Sequence, residues 1–191
     1  MVANIRPGSD SSTPNDFIVF NNELYFEADD GTNGNELWKY DGVNAPSMVA
    51  DINSGSANSY PNDFILFNNE LYFEADDGTN GDELWKYDGV NVPSMVYDSN
   101  IVKTSNYISN IVEFNDYMYF ANNDADNGIE LWKYNGVNVP SMSADICLGS
   151  CSSNPDDLVV FNNELYFEAY DGTNGYELWK YDGNNAPSMV A

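Results

Sequence analysis

The chain contains no histidine and few basic residues. Its 191 residues include 6 lysines and arginines against 31 aspartates and glutamates, which gives a net charge of −25. The lack of histidine removes the commonest general base and metal ligand near neutral pH. Nucleic acid binding needs basic side chains that release counterions from phosphates, and anionic lipid surfaces repel acidic proteins. We therefore expect no nucleic acid partner.

Long apolar runs are missing as well. No stretch of the sequence approaches the ~20 apolar residues that span a bilayer, so we expect no membrane insertion. The first residues do not resemble a signal peptide. Apolar residues make up 42% and aromatic residues 15% of the chain, which is ample for a packed core. The acidic stretches alternate with Tyr, Phe, Leu and Trp, unlike those of a disordered acidic tail.

Cysteine is nearly absent. Cys147 and Cys151 lie together in one short segment, Cys-Leu-Gly-Ser-Cys. A disulfide between them would fit an extracellular location. The spacing permits this geometry without requiring it, so the alternative is two loop thiols of no consequence.

What the sequence does contain is a repeat of 47 residues in four copies. The units span 2–48, 49–95, 96–142 and 143–189, and each carries the segment Glu-Leu-Trp-Lys-Tyr. The four tryptophans of these segments are Trp38, Trp85, Trp132 and Trp179. The chain begins and ends at the same point of the repeat, so we expect a segment of a longer chain whose leader is not present here. A fixed period in this range is typical of stacked or radial repeat folds.

The hydrophobic pattern within each unit has a period of two residues, which predicts β-strands. In the second unit, strands are expected at 63–68, 70–75, 83–87 and 94–98, separated by Asn-Asn and Gly-rich turns. Four short antiparallel strands per unit form the blade of a β-propeller. We predict an all-β, four-bladed β-propeller that forms a single domain over residues 1–191, with the ring closed by pairing of the two termini. The alternative is a segment of a larger propeller or array.

The segment LYFEADDGTNGNELWKYDG resembles the ELWxxDGT repeat of large bacterial surface or secreted proteins, and the likeness recurs in all four units. It is also loosely similar to hemopexin-like and kelch blades. The resemblance implies a propeller-like fold and an extracellular or cell-surface location. The sequence departs from the family pattern after Asp-Gly, where threonine is replaced by Val43, Val90, Val137 and Asn184.

An Asp-x-x-Asn-Gly-x-Glu motif follows the second predicted strand of every unit. Clustered oxygen donors around a glycine turn are what Ca²⁺ requires, although the spacing differs from that of an EF-hand. The alternative is that Asp and Asn cap the turn. The candidate calcium ligands are Asp30, Asn33, Glu36, Asp77, Asn80, Glu83, Asp124, Asn127, Glu130, Asp171, Asn174 and Glu177.

A second candidate cation site lies where the innermost predicted strand of each unit begins. In a closed ring these side chains would face one another near one mouth of the channel, where like charges raise each other's pKa unless a cation intervenes. The residues are Asp16, Asp63, Asn110 and Asp157.

The tryptophans and the lysines that follow them have expected structural roles. An indole in a third strand packs between blades, with an exposed sugar-stacking platform as the alternative. If Glu27 pairs with Lys39 across the hairpin, Phe26 and Ala28 share the face of Trp38. The same role is expected for Lys86 and Lys180, with Glu74 and Glu168 as partners. The third unit has Ala121 at the glutamate position, so Lys133 must find another partner.

These observations favour an extracellular, non-enzymatic binding or adhesion module that is monomeric. Four similar inter-blade grooves would allow multivalent capture of carbohydrate or of a cell-surface or matrix component. The alternative is a structural spacer of a larger surface protein, stabilised by Ca²⁺. We expect no enzymatic activity, because the sequence offers no histidine triad, no thiolate–histidine pair and no phosphate-binding glycine loop before a helix.

Overall fold

A computed structural model describes residues 3–98, 108–124 and 126–190. The described residues form β-strands joined by turns and loops, and all strand pairs are antiparallel. The strands make four sheets of four strands each, and the chain divides into two compact units, 1–98 and 99–191. None of the described segments forms a helix long and apolar enough to cross a membrane.

The first compact unit contains two sheets whose strands lie side by side in chain order. Its strands are β1 (Asn15–Phe20), β2 (Glu23–Asp29), β3 (Asn35–Tyr40), β4 (Ser47–Ala50), β5 (Asn62–Phe67), β6 (Glu70–Asp76), β7 (Asp82–Tyr87) and β8 (Ser94–Tyr97). The hairpin turns between β1 and β2 and between β5 and β6 are both Asn-Asn pairs with positive φ, a conformation that asparagine tolerates well. This confirms the turns predicted from the sequence.

The second compact unit repeats the same plan. Its strands are β9 (Ser109–Phe114), β10 (Tyr117–Asn123), β11 (Ile129–Tyr134), β12 (Ser141–Ala144), β13 (Asp156–Phe161), β14 (Glu164–Tyr170), β15 (Tyr176–Tyr181) and β16 (Ser188–Met189). The sequence repeat and the sheet are offset, because the first unit of the repeat ends at residue 48, inside β4. The predicted all-β, four-sheet organisation is confirmed.

Closure of a ring by the termini stays a prediction. The pairing proposed for it uses Met1, Val2 and Ala191, which lie outside the described residues. The single domain over residues 1–191 also stays a prediction, because the division into two compact units does not test it.

The core of the first compact unit lies between its two sheets. Apolar side chains of the first sheet, including Tyr25 and Leu37, pack against Phe73 and Ala75 of the second. Strand β6 is buried on both faces, since Tyr72 and Phe73 are both inaccessible to solvent. A central strand covered on both sides does not show the polar outer face that simple alternation suggests.

The core of the second compact unit is built from the same positions. Tyr119 and Leu131 of the third sheet pack against Phe167 and Ala169 of the fourth. Tyr119 meets Tyr181 edge to face with ring centroids 5.7 Å apart, and Tyr25 and Tyr87 do the same at 5.8 Å in the first compact unit. The repeat therefore encodes one sheet-to-sheet packing that is used in each unit.

The loop between β12 and β13 contains a disulfide. Cys147 and Cys151 are bonded, with Cα atoms 5.3 Å apart. In the matching loop of the first compact unit, Asn53 Nδ2 donates to the carbonyl oxygen of Asn58 at 2.8 Å. The sequence left open whether these cysteines are bonded, and the structure shows that they are, so the two loops are closed by different chemistry.

Candidate functional site

A β-bulge near the start of β1 opens a polar groove in the first compact unit. Asn15 pairs with Glu27 of β2, and the register then shifts so that Ile18 pairs with Tyr25. Asp16, inside the bulge, has a φ of 50°, a left-handed conformation that aspartate adopts more readily than most residues. Bulges re-aim side chains and are frequent beside functional sites. Here the bulge places Asn15 beside the Glu27 carboxyl group.

The groove has a volume of about 510 Å³. It is lined by Thr13, Pro14, Asn15, Glu27, Asn35 and Tyr60. Tyr60 precedes the second sheet and is half exposed, while Asn35 opens β3. Because the lining combines a carboxyl group, two amides and an aromatic ring, it offers hydrogen-bond acceptors and donors beside an apolar face.

Glu27 is 6% exposed, although it carries an ionisable group. Burial raises the pKa of Glu27, a hydrogen bond from Asn15 lowers it, and the charge of Asp16 raises it again. A carboxyl group with a raised pKa in a cleft is a common mark of a functional site.

Asn35 adds a second unusual group to the groove. Its side-chain Oδ1 is buried and has no hydrogen-bond partner among the described residues. The backbone of Asn35 is by contrast fully engaged, because its N–H donates to Asn58 Oδ1 at 2.9 Å and its carbonyl accepts from Ser59 N at 2.9 Å. An unsatisfied buried acceptor costs about 1–3 kcal/mol, so Asn35 Oδ1, which is closed off from solvent, would gain from any hydrogen-bond donor that reaches it.

The predicted calcium motif is divided between two tasks. Asp30 Oδ1 accepts hydrogen bonds from the N–H groups of Thr32 and Asn33, both at 2.8 Å, and Oδ2 accepts from Asn33 Nδ2 at 2.8 Å. The Asp77, Asp124 and Asp171 turns use the same bonds to Asn80, Asn127 and Asn174. Backbone hydrogen bonds from Asn174 and Thr173 lower the pKa of Asp171.

The glutamate of that motif faces the loop between β4 and β5 and not the turn. The Glu36 carboxylate is fully buried and accepts hydrogen bonds from Ile52 N at 2.8 Å, Asn53 N at 3.2 Å and Ser59 Oγ at 2.7 Å. Burial raises the pKa of Glu36 to about 7, although these hydrogen bonds act against the increase. Glu36 therefore fastens the loop between β4 and β5 to the first sheet.

Two further glutamates at this position are buried and one is exposed. Glu130 accepts from Ile146 N at 2.8 Å and from Ser153 Oγ at 2.6 Å, and Glu83 is also fully buried, while Glu177 is exposed. The described residues contain no group of three or more His, Cys, Asp or Glu side chains arranged to hold a metal ion. Calcium binding by the Asp-x-x-Asn-Gly-x-Glu motif stays a prediction.

The predicted channel residues all occupy the bulges. Asp16, Asp63, Asn110 and Asp157 have φ values of 50°, 51°, 58° and 52°. In the second compact unit, Asn110 Nδ2 donates to Asp156 Oδ1 at 2.5 Å. Their shared structural role is to shift the strand register, and a cation between them stays a prediction.

The tryptophans lie against the sheets. Trp38 and Trp132 are buried, and Trp85 and Trp179 are half-buried. Trp38 packs with Phe26 and Ala28, as expected from strand alternation. The Nε1 atoms of Trp85 and Trp179 donate to the carbonyl groups of the alanines in β6 and β14 at 2.9 and 3.0 Å.

The expected partners of the lysines are wrong. Glu27 pairs with Leu37, so the register differs by two residues from the one assumed, and Lys39 Nζ lies 3.1 Å from Glu23. Lys86 and Lys180 pair with Glu70 and Glu164 at 3.4 and 3.0 Å. In the third unit of the repeat, Tyr117 replaces that glutamate, and Lys133 Nζ lies 5.3 Å from its ring centroid, a cation–π contact.

The sequence pattern does not predict the groove, because it favours an ion pair for Glu27. The comparison between repeats contained a signal. Glu27, Glu74 and Glu168 pair with Asn15, Asn62 and Asp156, whereas the third unit has Ala121 opposite Ser109. Because the glutamate position and its partner position both differ in the third unit, the sequence could have indicated that they are neighbours in the sheet.

Comparison with known proteins shows likeness of fold. No protein-family model matches the sequence, and no curated protein matches it. A puromycin hydrolase structure aligns with 88% of this chain at a TM-score of 0.56 and 13% identity, and the alignment covers 26% of that protein. The acylaminoacyl peptidase of Pyrococcus horikoshii aligns with 92% of this chain at a TM-score of 0.53 and 9% identity, again over 26% of that protein. The chain thus spans about a quarter of these structures, and the ELWxxDGT resemblance stays a prediction.

The comparisons correct one prediction. An α-L-arabinofuranosidase from Clostridium thermocellum aligns with 92% of this chain, covering 69% of that protein, at 19% identity and a TM-score of 0.40. A family 117 glycoside hydrolase from Zobellia galactanivorans aligns with 95%, covering 69%, at 10% identity and a TM-score of 0.45. The fold of this chain also occurs in an enzyme, the puromycin hydrolase, and the prediction that the chain is not an enzyme is therefore contradicted.

Proposed function

We propose that the chain is an extracellular carbohydrate-binding protein and that the groove around Glu27 binds the sugar. The observation that carries this proposal is the pair of buried acceptors in one groove, the Glu27 carboxyl group and the unpartnered Oδ1 of Asn35. Sugar hydroxyl groups are donors that satisfy such acceptors, and a site that leaves polar groups unpaired without its ligand discriminates strongly in favour of that ligand.

Tyr60 completes the expected recognition. Its ring is half exposed at the groove, and its hydroxyl oxygen accepts a hydrogen bond from Asn58 Nδ2 at 2.6 Å. A ring held in this way offers its face to the apolar face of a sugar, with little conformational entropy left to lose. The groove therefore combines directional polar contacts with a stacking surface.

An extracellular location is supported by the disulfide of Cys147 and Cys151, since such bonds persist in oxidising compartments. The high negative charge favours solubility and disfavours nucleic acid. A neutral or cationic glycan of a cell surface or matrix is thus the favoured class of ligand.

A glycan array followed by calorimetry tests the proposal. We expect the wild-type protein to bind a neutral or cationic glycan. Glu27→Gln removes the charged acceptor, and Tyr60→Asn removes the ring while keeping a residue suited to its positive φ, as Asn154 does in the fourth unit. Both variants are expected to bind at least tenfold more weakly, in line with about 1.4 kcal/mol or more.

The matched control is Glu113→Gln, because Glu113 is exposed on β9 and does not line the groove. It is expected to bind as the wild type does. The absence of any bound glycan, or equal affinity in all variants, would reject the proposed site.

Sugar hydrolysis in the same groove is a second candidate function. It is favoured by the Glu27 carboxyl group in the groove, whose pKa is raised by burial and by the nearby charge of Asp16, since glycosidases act with a pair of carboxyl groups. Release of reducing sugar from the bound glycan, lost in Glu27→Gln, would support this candidate. Binding without release at any pH between 4 and 8 would leave recognition as the function.

A further inference from the structure

The fourth sheet presents an exposed apolar face. Leu178 is 50% exposed and Phe161 is 60% exposed. Their counterparts three repeats earlier, Leu37 and Phe20, are 0% and 4% exposed, because they pack against the second sheet. We define the C-terminal face as Val159, Phe161, Tyr166, Glu177 and Leu178.

The first sheet presents an apolar face of its own. It contains a groove of about 300 Å³ with a mainly apolar lining. We define the N-terminal face as Ile5, Ser12, Phe17, Leu24 and Tyr40, all of which line this groove. Phe17 is 59% exposed.

The first compact unit shows how two such faces meet. There Phe20, Tyr25 and Leu37 pack against the second sheet, whose contributing residues include Phe64, Leu71 and Tyr87. These three are the counterparts of Phe17, Leu24 and Tyr40, one repeat later. The C-terminal face therefore corresponds to the first half, and the N-terminal face to the second half, of the interface between the first and second sheets.

The polar groups of the two faces correspond to those of the first and second sheets in the same way. Glu36 accepts hydrogen bonds from Ile52 N, Asn53 N and Ser59 Oγ. Glu177 is the counterpart of Glu36, and its carboxylate is exposed, with no side-chain hydrogen bond among the described residues. The counterparts of the three donor residues are Ile5, Arg6 and Ser12.

The N-terminal loop is already folded as a receptor for such a carboxylate. Asp29 N donates to the carbonyl oxygen of Ser12 at 3.0 Å, as Asp76 N does to that of Ser59 at 2.9 Å. Ile5 packs beside Phe26 and Trp38, as Ile52 does beside their counterparts. The position of Asn53 is taken by Arg6, whose guanidinium group forms an ion pair with Asp29 and lies 3.5 Å from Asp10. The donors available to Glu177 are therefore the backbone N–H and hydroxyl groups of this loop.

We propose that the C-terminal face of one copy binds the N-terminal face of a second copy, head to tail. Glu177 then accepts hydrogen bonds from the Ile5–Ser12 loop of the second copy, and Leu178 and Phe161 are covered by its first sheet. Such a heterologous contact buries two faces that are different from each other, so it forms a ring or a longer assembly.

Analytical ultracentrifugation tests this proposal. The measurement is made over a range of protein concentrations in 0.5 M NaCl, which screens the repulsion between two copies of charge −25. The wild-type protein is expected to show a molar mass of at least twice the 21.3 kDa of one copy. Leu178→Arg and Phe17→Arg each place a charge on one face and are expected to sediment as single copies.

Mixing these two variants gives the sharpest readout. Each keeps one intact face, so an equimolar mixture is expected to form a 1:1 complex that neither variant forms alone. Glu177→Ala, which removes the hydrogen-bond acceptor offered to the Ile5–Ser12 loop, is expected to weaken assembly at least tenfold. Val43→Arg is the matched control, since Val43 is exposed in the turn after β3 and belongs to neither face, and it is expected to assemble as the wild type does.

Three outcomes would overturn the proposal. A wild-type protein that stays at 21.3 kDa at every concentration would mean that no second copy binds the C-terminal face. Assembly of Leu178→Arg or Phe17→Arg alone would place the contact elsewhere. A mixture that does not form the complex would exclude a head-to-tail contact.

Discussion

The first and fourth sheets carry the same segment in different surroundings. The β3 and β15 strands both contain Glu-Leu-Trp-Lys-Tyr, yet Glu36 and Leu37 are fully buried while Glu177 and Leu178 are exposed. The first segment is covered by the loop and sheet that follow it in the same compact unit, whereas no described sheet follows the fourth in the second compact unit. Burial in this repeat is therefore a property of the neighbouring sheet as much as of the residue itself.

Truncating the same leucine in both places gives the largest expected effect. Leu37→Ala removes a fully buried side chain and is expected to lower the free energy of unfolding by about 3 kcal/mol. Leu178→Ala, measured at a dilution where single copies prevail, is expected to cost below about 1 kcal/mol because the side chain is half exposed. Urea unfolding of both variants measures the difference, and equal losses would refute this view of the two faces.

The buried glutamate of the first sheet makes stability depend on pH. The pKa of Glu36 is raised from 4.5 to about 7 in the folded protein, so between these values the folded state binds more protons than the unfolded state. Stability is therefore expected to fall as the pH rises from about 4.5 to 7, by up to about 3 kcal/mol from this group.

Glu36→Gln keeps an acceptor for the loop and removes the titration. The variant is expected to flatten the fall in stability over that pH range, whereas Glu113→Gln, at an exposed site, leaves it unchanged. Unfolding free energies at pH 5 and pH 8 provide the measurement. An identical pH profile in wild type and Glu36→Gln would show that Glu36 does not titrate in this range.

The two loops that follow β4 and β12 provide a smaller contrast. The disulfide closes a short loop in the second compact unit, and by chain entropy it is expected to contribute about 2 kcal/mol. Cys147→Ser combined with Cys151→Ser should show this loss in urea unfolding. Reducing agent should lower the stability of the wild type by a similar amount and leave the double variant unaffected; a reductant effect on the double variant would point to another cause.

The lysines give the smallest expected effect. Lys39→Ala removes a partly exposed ion pair with Glu23, and Lys133→Ala removes the contact with Tyr117, each costing about 1 kcal/mol or less. In 1 M NaCl the effect of Lys39→Ala should shrink more than that of Lys133→Ala, because salt screens the exposed ion pair. Equal salt dependence of the two would contradict the different partners assigned here.

Much of the fold could be predicted from the sequence, because the repeat displays its strands by period-two patterning and its turns by Asn-Asn and Asp-Gly pairs. The predicted strands of the second unit of the repeat agree with β5 to β8 to within one residue at every end. The groove could not be predicted in this way. It depends on a bulge at Asp16 that shifts the register and turns Asn15 toward Glu27, and simple alternation assumes an unbroken register.

The sequence also could not predict that the aspartate and the glutamate of the Asp-x-x-Asn-Gly-x-Glu motif have different partners. The spacing suggests one cluster of oxygen ligands, but Asp30 is engaged within its own turn while Glu36 faces a loop that begins after the fourth strand. That loop lies 16 or more residues away in sequence, so no local pattern identifies the partner. The motif alone therefore does not show that its aspartate and its glutamate face different parts of the structure.

Amide hydrogen exchange compared between β3 and β15 tests the central claim most directly. At low protein concentration, β3 is expected to be strongly protected and β15 weakly protected, although five of their six residues are identical. Raising the concentration is expected to increase the protection of β15 and leave that of β3 unchanged. Equal protection of the two strands at every concentration would contradict the claim that a neighbouring sheet decides which copy of the repeat is buried.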